Sequence, residues 1–125
     1  MRFRAIPCAL MLTLGVAGAQ AAVFDVSIHD FLYDPSPVTI SVGDTVRWTN
    51  NDPFMHTVDA DDLSFDSPTL MQNDVFEHTF NAPGTVAYHC DFHSFMHGQV
   101  NVVPEPASVL ALAVGSAVFL FRRRR

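Results

Sequence analysis

The stretch Tyr88-His89-Cys90-Asp91-Phe92-His93-Ser94-Phe95-Met96-His97-Gly98 places a thiol, an imidazole and a thioether at regular spacing, Cys90-x-x-His93-x-x-Met96. A second imidazole, His56, stands upstream in Phe54-Met55-His56-Thr57-Val58. Soft sulfur ligands favour Cu(I), and imidazoles suit both oxidation states of copper. Two imidazoles, one thiolate and a weakly held thioether are the donor set of a mononuclear blue-copper electron-transfer centre that cycles one ion between Cu(I) and Cu(II). Protein side chains fill all of its positions, which argues against catalysis at the metal.

The same donors admit other uses. Cys90, His93 and His97 with His56 would make a tetrahedral Cys-His₃ zinc site that leaves Met96 out. His29 faces away from the apolar side of its segment and reads as a solvated residue. His78 shares a face with Phe76 and Phe80 and reads as a hydrogen-bonded inner histidine. Met55 and Met71 read as core or rim filler. No Ser-His-Asp order, paired-carboxylate pocket or open metal position stands out, so an enzyme is the weakest class.

Strand periodicity decides which way the donors point. In Val86-Ala87-Tyr88-His89-Cys90, Val86, Tyr88 and Cys90 fall on one face, and Ala87 and His89 on the other. Cys90 therefore points to the core, and His89 away from the site. A thiol in apolar surroundings keeps its proton unless a cation stabilises the thiolate. The strand is expected to end at Cys90, where Asp91-Phe92 lets the chain curl so that His93 approaches the same point. Ser94-Phe95 then brings Met96 round, and Gly98 frees the backbone for a last strand from Gly98 to Val103.

The remaining segments read as short strands between turns. Phe24, Val26 and Ile28 alternate with polar residues, as do Val38, Ile40 and Val42. Gly43-Asp44 turns into Thr45 to Thr49, and Asn50-Asn51-Asp52-Pro53 breaks the pattern before His56. Asp59-Ala60-Asp61-Asp62 reads as an acidic loop, and the chain stays irregular to Asn73. Phe76 to Phe80 alternates again, and Pro83-Gly84 turns into Thr85 to Cys90. Seven or eight short strands with frequent turns indicate an all-β sandwich or small barrel.

The two ends have a different character. Arg2 and Arg4 precede an apolar run from Ala5 to Ala17, which closes on Ala19-Gln20-Ala21. That order predicts a signal peptide over residues 1–21, removed by signal peptidase, with a mature start at Ala22. Cys8 leaves with it, so Cys90 is alone in the domain of residues 22–103, and a lone cysteine in an exported domain forms no internal disulfide. At the other end Pro104-Glu105-Pro106 is followed by an apolar run from Ala107 to Phe121 and then by Arg122 to Arg125. As a transmembrane helix that run would rise about 22 Å, against a hydrocarbon core of roughly 30 Å, with the arginines held on the cytoplasmic side.

The chain has 125 residues and a formal net charge of −6, but the imbalance is concentrated in the domain. Every acidic residue except Glu105 lies within residues 22–103, where Arg47 is the sole lysine or arginine. Nucleic acid is therefore a poor partner, and a basic protein surface a better one. Solubility in a salty or crowded exterior explains the same excess.

Residues 22–103 resemble the cupredoxins of the plastocyanin, pseudoazurin and amicyanin group. The resemblance rests on Val42 to Asn50, His56, Ala82-Pro83-Gly84-Thr85 and Tyr88-His89-Cys90, and the spacing of Cys90, His93 and Met96 is that of the short amicyanin ligand loop. It implies a Greek-key β-sandwich of eight strands, with His56, Cys90 and His93 as equatorial copper ligands and Met96 as the weak axial one. It also implies an electron exit at the edge of His93, ringed by Phe92, Phe95, Pro53 and Met55, toward a redox protein partner. Thr57 departs from the pattern, since many relatives carry Asn there, at a position bearing on a hydrogen bond that tunes the potential. His97 departs as well. Residues 103 to 125 resemble the PEP-CTERM sorting tail of certain Gram-negative bacteria. That implies recognition and cutting by an exosortase, and a destination in the periplasm, at the cell surface or in the extracellular matrix, with membrane contact through the tail. The expectation is a one-electron carrier outside the cytoplasm, flanked by hydrophobic helical segments. The alternatives are copper sequestration or delivery, and a zinc-binding surface or matrix protein with no redox role.

Overall fold

A computed structural model describes residues 20–105. The expected signal peptide falls almost entirely outside the described residues, as do the C-terminal apolar run and arginine cluster. The helical flanks are therefore not part of the described structure. Among the described residues there is no helix, and so none long and apolar enough to cross a membrane.

Among the described residues, eight strands form two four-stranded sheets, at the upper end of the seven or eight expected. The first sheet has the order β2-β1-β4-β6, from β1 (Val23–His29), β2 (Leu32–Asp34), β4 (Thr45–Asn50) and β6 (Val75–Thr79). The second has the order β3-β8-β7-β5, from β3 (Val38–Ser41), β5 (Asp59–Ala60), β7 (Gly84–Cys90) and β8 (His93–Val103). β1 runs parallel to β4 and β3 parallel to β8, whereas the other pairs are antiparallel. Both parallel pairings join strands that a hairpin cannot connect, so the chain has to cross between sheets.

Alternation along each strand builds the core. Val26 and Ile28 of β1, Val46 and Trp48 of β4, Tyr88 and Cys90 of β7, and Val100 and Val102 of β8 are buried between the sheets. Burying each aliphatic side chain stabilises the fold by about 1.5–3 kcal/mol. Trp48 and Tyr88 meet edge to face at 5.4 Å in the middle of this layer. The β3–β4 turn is set by Gly43, whose φ of +93° suits a residue without a Cβ, and by Asp44, whose carboxylate accepts from the N–H groups of Ser41 and Ala22 at 2.9 Å.

Two expectations are revised. Asp59-Ala60 is not loop but a short edge strand paired with His89 and Tyr88, because both of its side chains are buried. The last strand begins at His93 and not at Gly98: Asp91-Phe92 forms a two-residue turn, and Cys90 pairs with His93 to close a hairpin. Gly98 is not a swivel. A Cβ there would lie 2.2 Å from Cζ of Tyr88, so glycine makes room for the tyrosine ring.

Candidate metal centre

The end of the β7–β8 hairpin brings the donors together. The ladder pairs Cys90 with His93 and then His89 with His97, so Ser94, Phe95 and Met96 bulge out of register between these two pairs. That excursion turns Met96 inward, where it is 1% exposed, and leaves Phe95 outside at 68%. Cys90 is buried, as strand alternation required, and its Sγ lies 3.5 Å from Nδ1 of His93 and 3.9 Å from Nδ1 of His56. The donor atoms of His56, Cys90 and His93 all fall within 4.8 Å of one another. Such spacings suit donors each about 2.0–2.3 Å from a common ion.

His56 arrives from the loop after β4 and is held from two sides. Its backbone exchanges hydrogen bonds with Leu70, N–H to carbonyl at 3.1 Å and the reverse at 2.8 Å. Its ring Nε2 donates to Oδ2 of Asp52 at 2.9 Å, four residues earlier. With the proton on Nε2, the Nδ1 lone pair faces Cys90, which is the orientation a metal requires. Asp52 is itself fixed: it accepts from the N–H of Asp30 at 2.9 Å and of Phe31 at 3.0 Å, and its own N–H donates to Oδ1 of the fully buried Asn50. Burial pushes its pKa up, but the N–H groups of Phe31 and Asp30, together with His56, outweigh that push and hold the carboxyl below its ordinary range.

Thr57 couples the His56 loop to the turn after Cys90. Its N–H points at Sγ of Cys90 at 3.4 Å, its hydroxyl accepts from the N–H of Asp91 at 2.8 Å, and its carbonyl accepts from the Tyr33 hydroxyl at 2.6 Å. Thr57 thus supplies a hydrogen bond between the two loops. With a metal on the sulfur, a donor aimed at it would withdraw charge and so favour the reduced ion.

An aromatic rim surrounds His93, and it is the expected one only at Phe95. Phe31 lies edge-on to His93 at 5.0 Å and to His56 at 5.7 Å, and Phe54 stacks on Phe31 at 5.1 Å. Phe95 lies 5.9 Å from His93. Phe92, Pro53 and Met55 are exposed, as a rim requires, yet the ring contacts to His93 come from Phe31 and Phe95. Phe31 was missed because its position depends on a left-handed turn at Asp30 and Phe31, with φ of 50° and 58°, which no local sequence signal announces. In the sequence Asp52 reads as a turn residue, although its spacing of four from His56 stands there too.

The other histidines sort clearly. His97 is exposed and donates to the Ser94 carbonyl at 2.8 Å, outside the cluster, so the Cys-His₃ zinc arrangement lacks its fourth ligand. His29 is half-exposed beside Asp30 and Asp34. His78 packs against the rings of Phe65 and Phe80 at 4.6 and 4.8 Å, a ring-packed role in place of the hydrogen-bonded one expected, and burial holds it below its ordinary pKa. His89 faces away from the cluster, as alternation required, with Nδ1 2.6 Å from Asp61 and Nε2 3.1 Å from Asp91. Asp61, partly opposed by burial, and Asp91 raise its pKa. Asp59, beneath it, is pushed up to about 6, first by burial and then by the facing carboxyl of Asp66.

Comparison with known proteins agrees with this geometry. Residues 3–102 match the cupredoxin-like domain, and residues 102–125 match the PEP-CTERM protein-sorting motif. The chain is 34% identical over 92 residues to amicyanin-alpha of Methylorubrum extorquens, covering 70% of this chain and 77% of that one. It is 32% identical over 82 residues to amicyanin of Paracoccus denitrificans, covering 62% and 63%. Among solved structures, the reduced state of an amicyanin mutant superposes with a TM-score of 0.61 at 34% identity, over 65% of this chain and 82% of that one. A purple cupredoxin from Nitrosopumilus maritimus gives 0.60 at 33% identity, over 64% and 99%.

Proposed function

This chain belongs to the cupredoxin-like family, for whose donor set one copper ion is the cofactor, and from that premise we propose that it carries single electrons between redox proteins outside the cytoplasm. His56, Cys90 and His93 would hold the ion, with Met96 as a fourth and weaker ligand. Copper in that cage supplies a centre that exchanges one electron between Cu(I) and Cu(II). The convergence of Cys90 Sγ with Nδ1 of His93 and of His56, the latter locked by Asp52, carries the reading.

The chain's own groups account for the rest. The β7–β8 ladder and the Leu70 bridge hold the ligands on rigid elements, so little has to rearrange when the charge changes. Burial of His56, Cys90 and Met96 keeps water and substrates out, which fits a carrier and not an enzyme. His93 is the one half-exposed ligand, and its rim of Phe31, Phe54 and Phe95 offers an apolar contact for a partner. The surrounding acidic domain suits a partner with a basic docking surface.

The working unit is the domain of residues 22–103, released from a signal peptide at residues 1–21. The tail of residues 104–125 directs it, through an exosortase, to the periplasm, cell surface or matrix of a Gram-negative bacterium, with membrane contact before processing. Copper titration tests the electron-carrier reading. Purified protein with one equivalent of Cu(II) should turn intensely coloured and be bleached reversibly by ascorbate. Cys90→Ser should abolish the colour while circular dichroism still reports a β-sandwich. A coloured Cys90→Ser protein would overturn the ligand assignment.

A further inference from the structure

A second cluster of donors lies back to back with the first. His89 and Asp91 flank Cys90 in sequence but face the opposite side of β7, where they meet Asp59 of β5. One donor atom from each of Asp59, His89 and Asp91 lies within 4.8 Å of the others, and Nε2 of His89 is 3.1 Å from Oδ1 of Asp91. Asp59 is 6% exposed, and its Oδ1 accepts from the N–H of Ser67 at 3.2 Å. Its Oδ2 is buried without any hydrogen-bond donor, and Asp59 lines a cleft of about 250 Å³ together with Asp66, His89 and Asp91. A buried carboxylate oxygen with no donor carries a large desolvation cost that a cation can offset.

We propose that Asp59, Asp91 and Nε2 of His89 form a second cation site on the outer face of β7, suited to a zinc-type divalent ion. The donor types choose the ion. One imidazole and two carboxylates match a borderline divalent cation, whereas calcium and magnesium prefer oxygen alone. The separation of 3.1 Å is close to that of two donors about 2.0–2.2 Å from one tetrahedral centre. Asp61 completes the arrangement: its Oδ1 lies 2.6 Å from Nδ1 of His89, which keeps the ring proton there and turns the Nε2 lone pair toward the carboxylates. The half-exposed His89 and exposed Asp91 can close on the buried Asp59, and solvent can supply the fourth ligand.

The full chain, loaded with one copper so that the first centre is filled, is dialysed against micromolar zinc, and both metals are counted by mass spectrometry. The expected result is one copper and one zinc per chain. His89→Gln, a change at a half-exposed side chain, should hold one copper, keep its colour and lose zinc at least tenfold. Asp59→Asn, which preserves the acceptor for Ser67, should do the same. Zinc below one-tenth equivalent in the parent chain, or zinc undiminished by His89→Gln, would sink the second site. Because the decisive reading is the zinc that depends on His89, failure to take up copper would count against the first centre and leave this comparison interpretable.

Discussion

The two faces of β7 at its C-terminal end do opposite chemistry with adjacent residues. On the inner face, Cys90 meets His56 and His93, with His56, Cys90 and Met96 all buried. On the outer face, His89 meets Asp59, Asp61 and Asp91 in an open, acidic cleft. One histidine on each face is oriented by a carboxylate, Asp52 for His56 and Asp61 for His89, but one carboxylate is buried and the other half-exposed. The difference teaches that a period of two is enough to sort soft donors from hard ones, because neighbours on a strand see different solvents.

The largest expected effect comes from breaking the sorting directly. Exchanging the pair, His89→Cys with Cys90→His, moves the thiol to the acidic side, and the visible absorption of the copper protein should vanish. Absorption kept at parental strength would mean that facing does not select the donor. Next comes Asp52→Ala, which frees Nε2 of His56 and leaves the N–H groups of Asp30 and Phe31 without their acceptor. Copper affinity, read by competition with a chelator, should fall about 10–100-fold, while zinc uptake on the outer face stays within twofold.

Gly98→Ala sharpens the comparison from the core side. The new methyl would meet the Tyr88 ring, and denaturant unfolding of the copper-free protein should show a loss of about 1–3 kcal/mol. The smallest effect belongs to His78→Phe, remote from both faces. The pKa of folded His78 is depressed, so its contribution is present above the unfolded value near 6.5 and is lost as pH falls through the folded one. The variant's melting temperature should therefore drop less than the parent's between pH 7.5 and pH 5, with copper absorption unchanged.

Much of the inner site was legible because it depends on local rules. Alternation placed Cys90 inward and His89 outward, and the interval from Cys90 through His93 to Met96 fits a hairpin end with a bulge. What escaped is non-local. The place of Phe31 over His93 depends on a left-handed turn and on Asp52, 21 residues away. Asp59-Ala60 read as loop because its acidic composition hid a residue buried by pairing with His89 and Tyr88. Gly98 read as a source of freedom, although what it supplies is space for a ring contributed by the facing strand.

The position of His56 has one more consequence. It belongs to the loop leaving the β2-β1-β4-β6 sheet, while Cys90 belongs to the other sheet, 34 residues along the chain. An ion bonded to both acts as a rivet across the sandwich, cross-linking the layers much as a disulfide closes a loop. Loading the metal should then raise the thermal midpoint and slow hydrogen exchange on both sheets together, so that the cargo doubles as a fastener.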